Sequence, residues 1–291
     1  YSEYPNVEEI PAPRNDLIKT ERYVINQVQT TRGCPFDCDF CSVKAFSGNQ
    51  YRIKKIEQTI KEIQSLSPTY DINIFGHKLK SPKTLLFADD NLIGNKPYAK
   101  KFLEAIMPLK LTDWYCQSSI NLGRDKEMIS MMKEAGCHSV IIGIESVMPE
   151  TIQSMDKKIN KVEDYSECIA NIQSAGIKVM PSFVVGSDTE DDTIFEQTAR
   201  FIKDNNLVYP MINILTPLPG TKLYTRLENE GRILHKNWTK YDFESVCFKP
   251  KNMSAKTLED GRRWVFREIY SLGNIQKRYD NFMNKKEVNE V

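Results

Sequence analysis

Three cysteines on one short stretch are the clearest candidates for a reactive centre. Residues 31–43 read TRGCPFDCDFCSV and place Cys34, Cys38 and Cys41 in a C-x3-C-x2-C spacing. A cubane iron–sulfur cluster has four irons that are held by cysteine thiolates, so three ligands leave one iron without a protein ligand. An open coordination position distinguishes a reactive metal site from a closed structural one. The spacing therefore predicts a cluster whose fourth iron is available to a small molecule.

A structural zinc ion or free thiols are the alternatives for these three cysteines. A structural zinc site needs a fourth Cys or His, and none lies nearby in the sequence. The other four cysteines are scattered in apolar or mixed surroundings, so we expect core thiols and no disulfide framework. They are Cys116, Cys137, Cys168 and Cys247. This usage favours a reducing, cytoplasmic setting.

Length and charge narrow the range of partners. The chain has 291 residues, enough for one large α/β barrel, with 40 Lys+Arg against 39 Asp+Glu. This balance gives no electrostatic footprint for nucleic acid, and we expect no such partner. No apolar run approaches membrane-spanning length, and no signal peptide opens the chain. Because the chain begins at Tyr1 and not at Met, we expect an upstream portion to be missing.

Strands and helices alternate along most of the chain, and this alternation indicates βαβ units with a parallel sheet. Right-handed crossovers would curl six such units into an α/β fold, a partial (βα)6 TIM-like barrel. The six predicted strands lie near residues 24–31, 84–88, 114–121, 138–144, 178–185 and 209–215. Between the first two strands, the sequence favours a short strand at 71–76 and a polar turn at 77–83. A further helix is predicted over 189–205.

Three regions are predicted on this basis. Residues 1–20, with three prolines among polar residues, form an N-terminal arm, and residues 21–235 form the barrel. Residues 236–291 form an appended, mainly helical C-terminal extension. Within it we expect an edge strand at 241–248 and one long helix, capped by Ser254 and carrying Leu272 on its buried face.

Polar residues follow the predicted strands, where reactive residues collect in a parallel barrel. The acidic or amide group Asp89, Asp90 and Asn91 ends one strand, and Gln117, Ser119 and Asn121 end the next. Later strand ends carry Glu145, Ser146, Ser187, Asp188 and Thr216. Ordinary structural roles compete with ligand binding at each place: a helix cap for Asp89–Asn91, a polar barrel layer for Gln117 and Ser119, and a salt bridge for Glu145.

The cysteine stretch resembles the signature of the radical S-adenosylmethionine (SAM) superfamily, C-x3-C-x-aromatic-C, with Phe40 as the aromatic residue. It looks closest to the branch whose members often carry an N-terminal cobalamin (B12)-binding domain. The strings FADDN, IGIES and TPLPGTKLY match that branch in the same order. The resemblance covers residues from about 11 to about 260.

The resemblance implies a [4Fe–4S] cluster on Cys34, Cys38 and Cys41, with SAM on the fourth iron. Reductive cleavage of SAM would give a 5′-deoxyadenosyl radical, which abstracts hydrogen from a small-molecule substrate, for methylation or C–C bond formation. An electron donor such as a flavodoxin or ferredoxin is implied as a partner. The implied cofactor-binding residues are Phe40, Asp89, Asp90, Asn91, Gln117, Ser119 and Glu145.

Two further expectations concern cobalamin and a competing function. The cobalt-ligating pattern D-x-H-x2-G of the branch is absent, since His77, His138 and His235 do not occur in it. Cobalamin is therefore expected only if an upstream domain is missing from the chain. The competing function is an iron–sulfur electron-transfer or sensor module without SAM turnover, and a protein ligand on the fourth iron would distinguish it.

Overall fold

A computed structural model of the protein describes residues 4–17, 19, 22–48, 50–74 and 77–289. The strands are β1 (Ile25–Val28), β2 (Thr31–Arg32), β3 (Arg52–Ile53), β4 (Thr69–Ile74), β5 (His77–Pro82), β6 (Thr84–Phe87), β7 (Trp114–Ser118), β8 (Cys137–Glu145), β9 (Lys178–Val185) and β10 (Met211–Ile214). The helices are α1 (Val43–Ser47), α2 (Ile56–Ser65), α3 (Lys96–Ile106), α4 (Lys126–Glu134), α5 (Pro149–Ser154), α6 (Tyr165–Ser174), α7 (Thr193–Asp204), α8 (Lys222–Asn229), α9 (Ala255–Ile269) and α10 (Leu272–Asn289).

Six parallel strands form the central sheet, in the order β1-β6-β7-β8-β9-β10. The sheet curls into a half-barrel with helices around it, which confirms the predicted partial (βα)6 fold. Apolar side chains on the outer face of the sheet pack against those helices. Phe87 on β6, for example, makes edge contacts with Phe102 (5.2 Å between ring centroids) and Trp114 (5.1 Å). This packing fixes the strand ends that carry the polar residues.

The first predicted strand, 24–31, is shorter than expected. β1 ends at Val28, and Thr31–Arg32 pairs antiparallel with Arg52–Ile53 instead of continuing in the sheet. The chain leaves the sheet because the backbone N–H groups of Thr30 and Thr31 donate to the carboxylate of Asp89. The chain is thereby directed into the cysteine stretch.

The segment between α2 and β6 is a hairpin of two antiparallel strands, β4 and β5. The polar turn predicted at 77–83 is therefore wrong, since His77–Pro82 is a strand. This hairpin is a separate two-stranded sheet. The strand predicted at 71–76 corresponds to β4 as far as Ile74, and residues 75 and 76 lie outside the described part of the chain. The sequence of β5, HKLKSP, has no hydrophobic alternation, which is the signal that identifies a strand from sequence.

Two predictions for the C-terminal extension are also wrong. No strand forms at 241–248, where Phe248 makes only an isolated bridge with Ile233. The long helix is two helices, because α9 ends at Ile269 and α10 begins at Leu272, whose side chain is exposed. Ser254 does cap α9, since its hydroxyl accepts a hydrogen bond from the Thr257 N–H (2.9 Å).

The helix predicted over 189–205 begins at Thr193. The preceding Glu190 is buried, and its carboxylate accepts hydrogen bonds from the N–H groups of Gly186 (2.8 Å) and Ser187 (3.1 Å). It therefore closes the turn after β9 and is not part of the first helical turn.

The arm near the N-terminus contains two short 3-10 turns, Val7–Glu9 and Asn15–Leu17. No helix in the described part of the chain is long and apolar enough to cross a membrane.

Candidate active site

A cavity of about 570 Å³ lies at the carboxyl ends of the sheet strands. All three cysteines of the predicted cluster stretch line it. Six of the seven residues that were predicted to bind SAM line it too: Phe40, Asp90, Asn91, Gln117, Ser119 and Glu145. The sheet thus brings together groups that lie far apart in the sequence, and their role toward SAM remains a prediction.

Asp89 is the predicted residue that does not line the cavity. Its carboxylate is fully buried and accepts hydrogen bonds from the Thr30 hydroxyl (2.8 Å) and the Thr31 hydroxyl (2.5 Å), besides their N–H groups. The neighbouring Asp90 points toward the cysteines, because its Oδ2 accepts a hydrogen bond from the Gly33 N–H (2.8 Å). Asp89 therefore ties β1 to β6, and Asp90 is the carboxylate that faces the cavity.

The cysteine stretch is held by contacts from distant parts of the chain. The Asp39 N–H donates to the Met155 carbonyl (3.1 Å), and the Asp39 carbonyl accepts from the Leu223 N–H (3.0 Å). Asp37 also pairs with Lys222 (2.8 Å) on α8. These contacts fix the stretch between the loop after α5 and the start of α8, so the thiols do not depend on their own short segment for position.

The surroundings of the three thiols favour their protonated forms. Burial raises the pKa of all three, and it raises the pKa of Cys38 to about 12. The ammonium group of Lys157 acts in the opposite direction and favours the thiolate forms. Metal binding would therefore release protons.

Three thiols on one stretch are ligands of the kind that hold an iron–sulfur cluster. Among the described residues, no group of three or more His, Cys, Asp or Glu side chains is placed to hold one metal ion. A cubane cluster does not need such convergence, because each thiolate binds a different iron. In addition, no fourth cysteine and no histidine belongs to the described lining of the cavity. The donor set fits a cluster with one open iron.

A buried ion pair faces the thiols from β8. Glu145 and Lys157 form a close salt bridge, with side chains that are 7% and 12% exposed. Burial alone would lower the pKa of Lys157, but the Glu145 carboxylate raises it, so the amine stays charged. Glu145 has a positive φ of 64° and follows an irregularity in the pairing of β8 with β9. Gly143 leaves room for the pair, since a Cβ there would overlap both charged groups.

An amide and a hydroxyl line the opposite side. The Asn91 amide donates to the Ser119 hydroxyl (3.1 Å), which in turn donates to Asn121 (2.6 Å). Asn121 is outside the cavity lining. The Oδ1 atom of Asn91 is buried and has no hydrogen-bond partner within the described structure. A buried acceptor without a donor is costly, so this atom fits a ligand that brings an N–H or ammonium group.

Several lining residues were not predicted. Ser182 and Asn213 face the cavity from β9 and β10, where the Asn213 amide donates to the Ser182 hydroxyl (3.0 Å). The two-residue alternation of these strands could have identified them. Lys157 and Phe243 also line the cavity. No spacing in the sequence connects either residue to the cysteines, so only the folded chain shows them.

Comparison with known proteins gives a family for most of the chain. The family model of the radical SAM superfamily matches residues 28–202. A second model, described as a domain of unknown function (DUF4070), matches residues 221–291.

Two curated relatives are methyl-transferring enzymes by name. The chain is 28% identical to the bacteriochlorophyllide d C-12(1)-methyltransferase of Chlorobaculum tepidum, over 86% of this chain and 53% of the relative. It is 29% identical to the hopanoid C-2 methylase of Rhodopseudomonas palustris, over 77% of this chain and 42% of the relative. The chain thus spans about half the length of the curated relatives that it matches.

A solved structure shares the fold. This is the radical SAM methyltransferase TsrM from Kitasatospora setae with cobalamin and a [4Fe–4S] cluster bound, with a TM-score of 0.63 and 16% sequence identity. The match covers 91% of this chain and 50% of the TsrM chain.

Proposed function

Because the chain belongs to the radical SAM superfamily, we propose that it is an enzyme that cleaves SAM reductively to act on a small-molecule substrate. A [4Fe–4S] cluster with SAM bound supplies reductive cleavage of SAM to methionine and a 5′-deoxyadenosyl radical, which abstracts hydrogen from the substrate. One observation carries the proposal. The three cysteines share a single cavity with acidic and amide groups from several strand ends and with the ammonium group of Lys157.

Each group has a proposed part. Cys34, Cys38 and Cys41 hold the cluster. Asn91 accepts a hydrogen bond from the methionine ammonium group through its unpaired Oδ1, and Asp90 places a negative charge beside that ammonium. These contacts orient a zwitterionic ligand at the open iron before the reaction, and fixed orientation of this kind is the protein's main contribution to cofactor chemistry.

The remaining predicted residues are proposed to hold the rest of SAM. Glu145 receives the ribose hydroxyls, and Lys157 neutralises the charge that Glu145 and the thiolates concentrate in a buried place. Ser119 and Gln117 complete the polar side of the cavity, and the backbone at Phe40 flanks the adenine. The apolar side chains in the lining keep water from the radical.

Methyl transfer is the reaction that we favour among those open to such an enzyme. Its methyl group would come from a second SAM molecule, which becomes S-adenosylhomocysteine, because the reductively cleaved SAM keeps its methyl group on methionine, and the electron donor would supply both electrons. The support for methyl transfer is that both curated relatives are named for methylation. Cobalamin is part of the proposal only if the full-length protein has a further domain that binds it. The solved TsrM structure contains bound cobalamin. We propose a flavodoxin or ferredoxin as electron donor, and a reducing, cytoplasmic setting because all seven cysteines are free thiols.

The test is SAM cleavage by protein reconstituted anaerobically with iron and sulfide. With dithionite and SAM, we expect 5′-deoxyadenosine to accumulate. Cys38→Ala removes one thiol of the cluster and should abolish both cluster loading and 5′-deoxyadenosine. Cys168→Ala removes a buried thiol of α6 outside the cavity and should retain both.

Other outcomes identify the alternatives. Protein that binds iron and sulfide but consumes no SAM with any reductant is an electron-transfer or sensor module. Anaerobically purified protein with one zinc and no iron is a zinc-stabilised domain, and either result rejects the proposed enzyme.

A further inference from the structure

Residues 234–247, at the start of the predicted C-terminal extension, form a closed loop that we name the mouth loop. Its two ends meet, because Ile233 and Phe248 form a bridge and the Leu234 N–H donates to the Cys247 carbonyl (2.9 Å). A compact surface loop with adjoining ends is an Ω-loop, a type of loop that is frequently functional. None of the proposed steps in SAM cleavage uses it.

The tip of the mouth loop is attached to the barrel edge. The N–H of Ile214, the last residue of β10, donates to the Phe243 carbonyl (2.7 Å). Glu244 next to it pairs with Arg262 (2.6 Å), whose Nε donates to the Ile212 carbonyl (3.0 Å). These contacts bring Phe243 to the end of β10, where it lines the cavity.

Phe243 has an unfavourable backbone conformation. Its φ is 64°, a left-handed value that is rare for a bulky side chain. The carboxylate of Asp242 fixes the turn by accepting hydrogen bonds from the N–H groups of Glu244 (2.9 Å) and Ser245 (2.8 Å). Strain of this kind persists where the surrounding structure enforces it, often at ligand sites. The same backbone conformation places the phenyl ring of Phe243, a residue that is 43% exposed, at the cavity.

More apolar surface lies on the same loop. Leu234 and Trp238 are each 53% exposed, and the Trp238 ring lies 4.9 Å from that of Tyr241. Of the four charged side chains on the loop, Lys236 pairs with Glu228 (2.6 Å) and Glu244 with Arg262, while Lys240 and Asp242 have no ion pair among the described residues. Exposed aromatic groups on a loop whose Phe243 lines a cavity mark a site for an apolar ligand.

We propose that the mouth loop binds the substrate, and that the substrate is a large, planar, mainly hydrocarbon molecule. The body of the molecule stacks on Trp238 and Phe243, and the carbon that reacts passes Phe243 into the cavity. This inference rests on the proposed SAM cleavage for its chemistry. Binding at the loop does not depend on it, because the mouth loop holds none of the cluster or SAM residues.

The test uses protoporphyrin IX as a planar, apolar probe, and free tryptophan as a small aromatic comparison. Binding is measured by fluorescence titration of the purified protein without cluster. We expect protoporphyrin to bind and tryptophan not to saturate. Phe243→Ala and Trp238→Ala should each weaken protoporphyrin binding about fivefold to tenfold, the range of a lost aromatic contact. Trp264→Ala, which removes a 46% exposed tryptophan on α9 outside the loop, should change it less than about twofold.

A second variant separates binding from packing. Phe243→Gly removes the ring and relieves the positive φ, so we expect weakened probe binding with an unchanged or higher Tm. A lower Tm with unchanged binding would make Phe243 a packing residue and overturn the proposal. Equal binding by wild type and by the Phe243→Ala, Trp238→Ala and Trp264→Ala variants, or a loss confined to Trp264→Ala, would also overturn it.

The proposed SAM cleavage and the proposed role of the mouth loop are tested by different results. If reconstituted wild-type protein makes no 5′-deoxyadenosine, SAM cleavage is rejected, and the probe titration still decides the mouth loop. If SAM is cleaved but the mouth-loop variants bind the probe like wild type, only the mouth loop is rejected.

Discussion

Two charged clusters follow neighbouring strands of the sheet, and they differ in how fully their carboxylates are paired. After β9, Asp188 accepts from Arg232 (2.5 and 2.9 Å) and Arg226 (2.7 Å), and Lys251 lies 3.3 Å away. At the end of β8, Glu145 pairs with Lys157 alone. The Asp188 cluster is saturated and lies outside the cavity lining, whereas the Glu145 pair faces the cavity.

This difference indicates that the Asp188 cluster has a structural role and that the Glu145 pair belongs to a ligand site. Asp188 joins the turn after β9 to α8 and to the extension, where the Asn252 amide donates to its carbonyl (2.8 Å). Both of its carboxylate oxygens already accept hydrogen bonds from these arginines. Glu145 is held in a strained backbone conformation beside one cation, and a ligand can share that partner. Variants at the Glu145 pair should therefore weaken SAM binding as well as stability, whereas variants at the Asp188 cluster should lower stability alone.

The largest effect is expected at Lys157. Lys157→Met leaves the buried Glu145 carboxylate without its cation, and breaking a buried pair in this way costs about 3–5 kcal/mol. We expect a fall in the free energy of unfolding together with an increase of at least about tenfold in the Kd for SAM, as 1.4 kcal/mol corresponds to a factor of ten. Lys158→Met is the control, because Lys158 is the exposed neighbour, and it should change neither value. Unchanged SAM affinity in Lys157→Met would remove the pair from the ligand site.

The next effect is expected at Asp188, in stability alone. Asp188→Asn leaves Arg232, whose side chain is 10% exposed, with Glu230 as its remaining carboxylate partner, and we expect a loss of about 1–3 kcal/mol in urea unfolding. Once cluster content is normalised, 5′-deoxyadenosine formation should match wild type. Lys251→Ala, at the exposed edge of the cluster, should cost less than about 1 kcal/mol. If 5′-deoxyadenosine formation fell by more than cluster content did, the assignment of Asp188 to a purely structural role would be contradicted.

The pH dependence of unfolding should follow the same cluster. Burial alone would raise the pKa of Asp188, but the guanidinium groups of Arg232 and Arg226 hold it well below its usual value. A lowered pKa in the folded state gives stability that is complete above the unfolded value of about 3.9 and is lost as the pH falls below it. Urea titrations from pH 6 down to about pH 3 should show this loss in wild type. Asp188→Asn should not show this part of the loss. An equal loss of unfolding free energy in wild type and Asp188→Asn over this pH range would contradict the prediction.

The smallest effect is expected at Gly143. An added Cβ would overlap the ends of the Glu145 and Lys157 side chains, which can shift at little cost. Gly143→Ala should therefore cost less than about 1 kcal/mol in stability, yet weaken SAM severalfold by displacing the pair. Gly273→Ala on α10, where the added methyl group meets open space, should leave SAM binding unchanged. Identical SAM affinity in both variants would show that the geometry of the pair does not matter.

The sequence predicted the sheet because its strands carry local signals. Runs of apolar residues at regular intervals gave all six parallel strands, and the spacing of the cysteines gave the cluster stretch. Of the hairpin, the strand predicted at 71–76 matches β4, whereas β5 was missed because its sequence, HKLKSP, lacks apolar alternation. The break between α9 and α10 was missed because helical residues continue on both sides of it.

Side-chain direction at the site could not be predicted. Asp89 and Asp90 are adjacent in the sequence, and only the folded chain shows that Thr30 and Thr31 bind the first while the second faces the cysteines. Lys157 lies beyond a whole helix from Glu145, and the positive φ of Glu145 that aims the pair is a tertiary effect. Phe243 was unpredictable for the same reason, since its contact with Ile214 joins distant segments.

The open iron is tested most directly by electron paramagnetic resonance of the reconstituted, dithionite-reduced protein with and without SAM. A cluster held by Cys34, Cys38 and Cys41 alone should give a [4Fe–4S] signal whose g values shift when SAM is added, because SAM binds the fourth iron. A [4Fe–4S] signal that SAM leaves unchanged would mean that the fourth iron is closed, and it would contradict the proposed site.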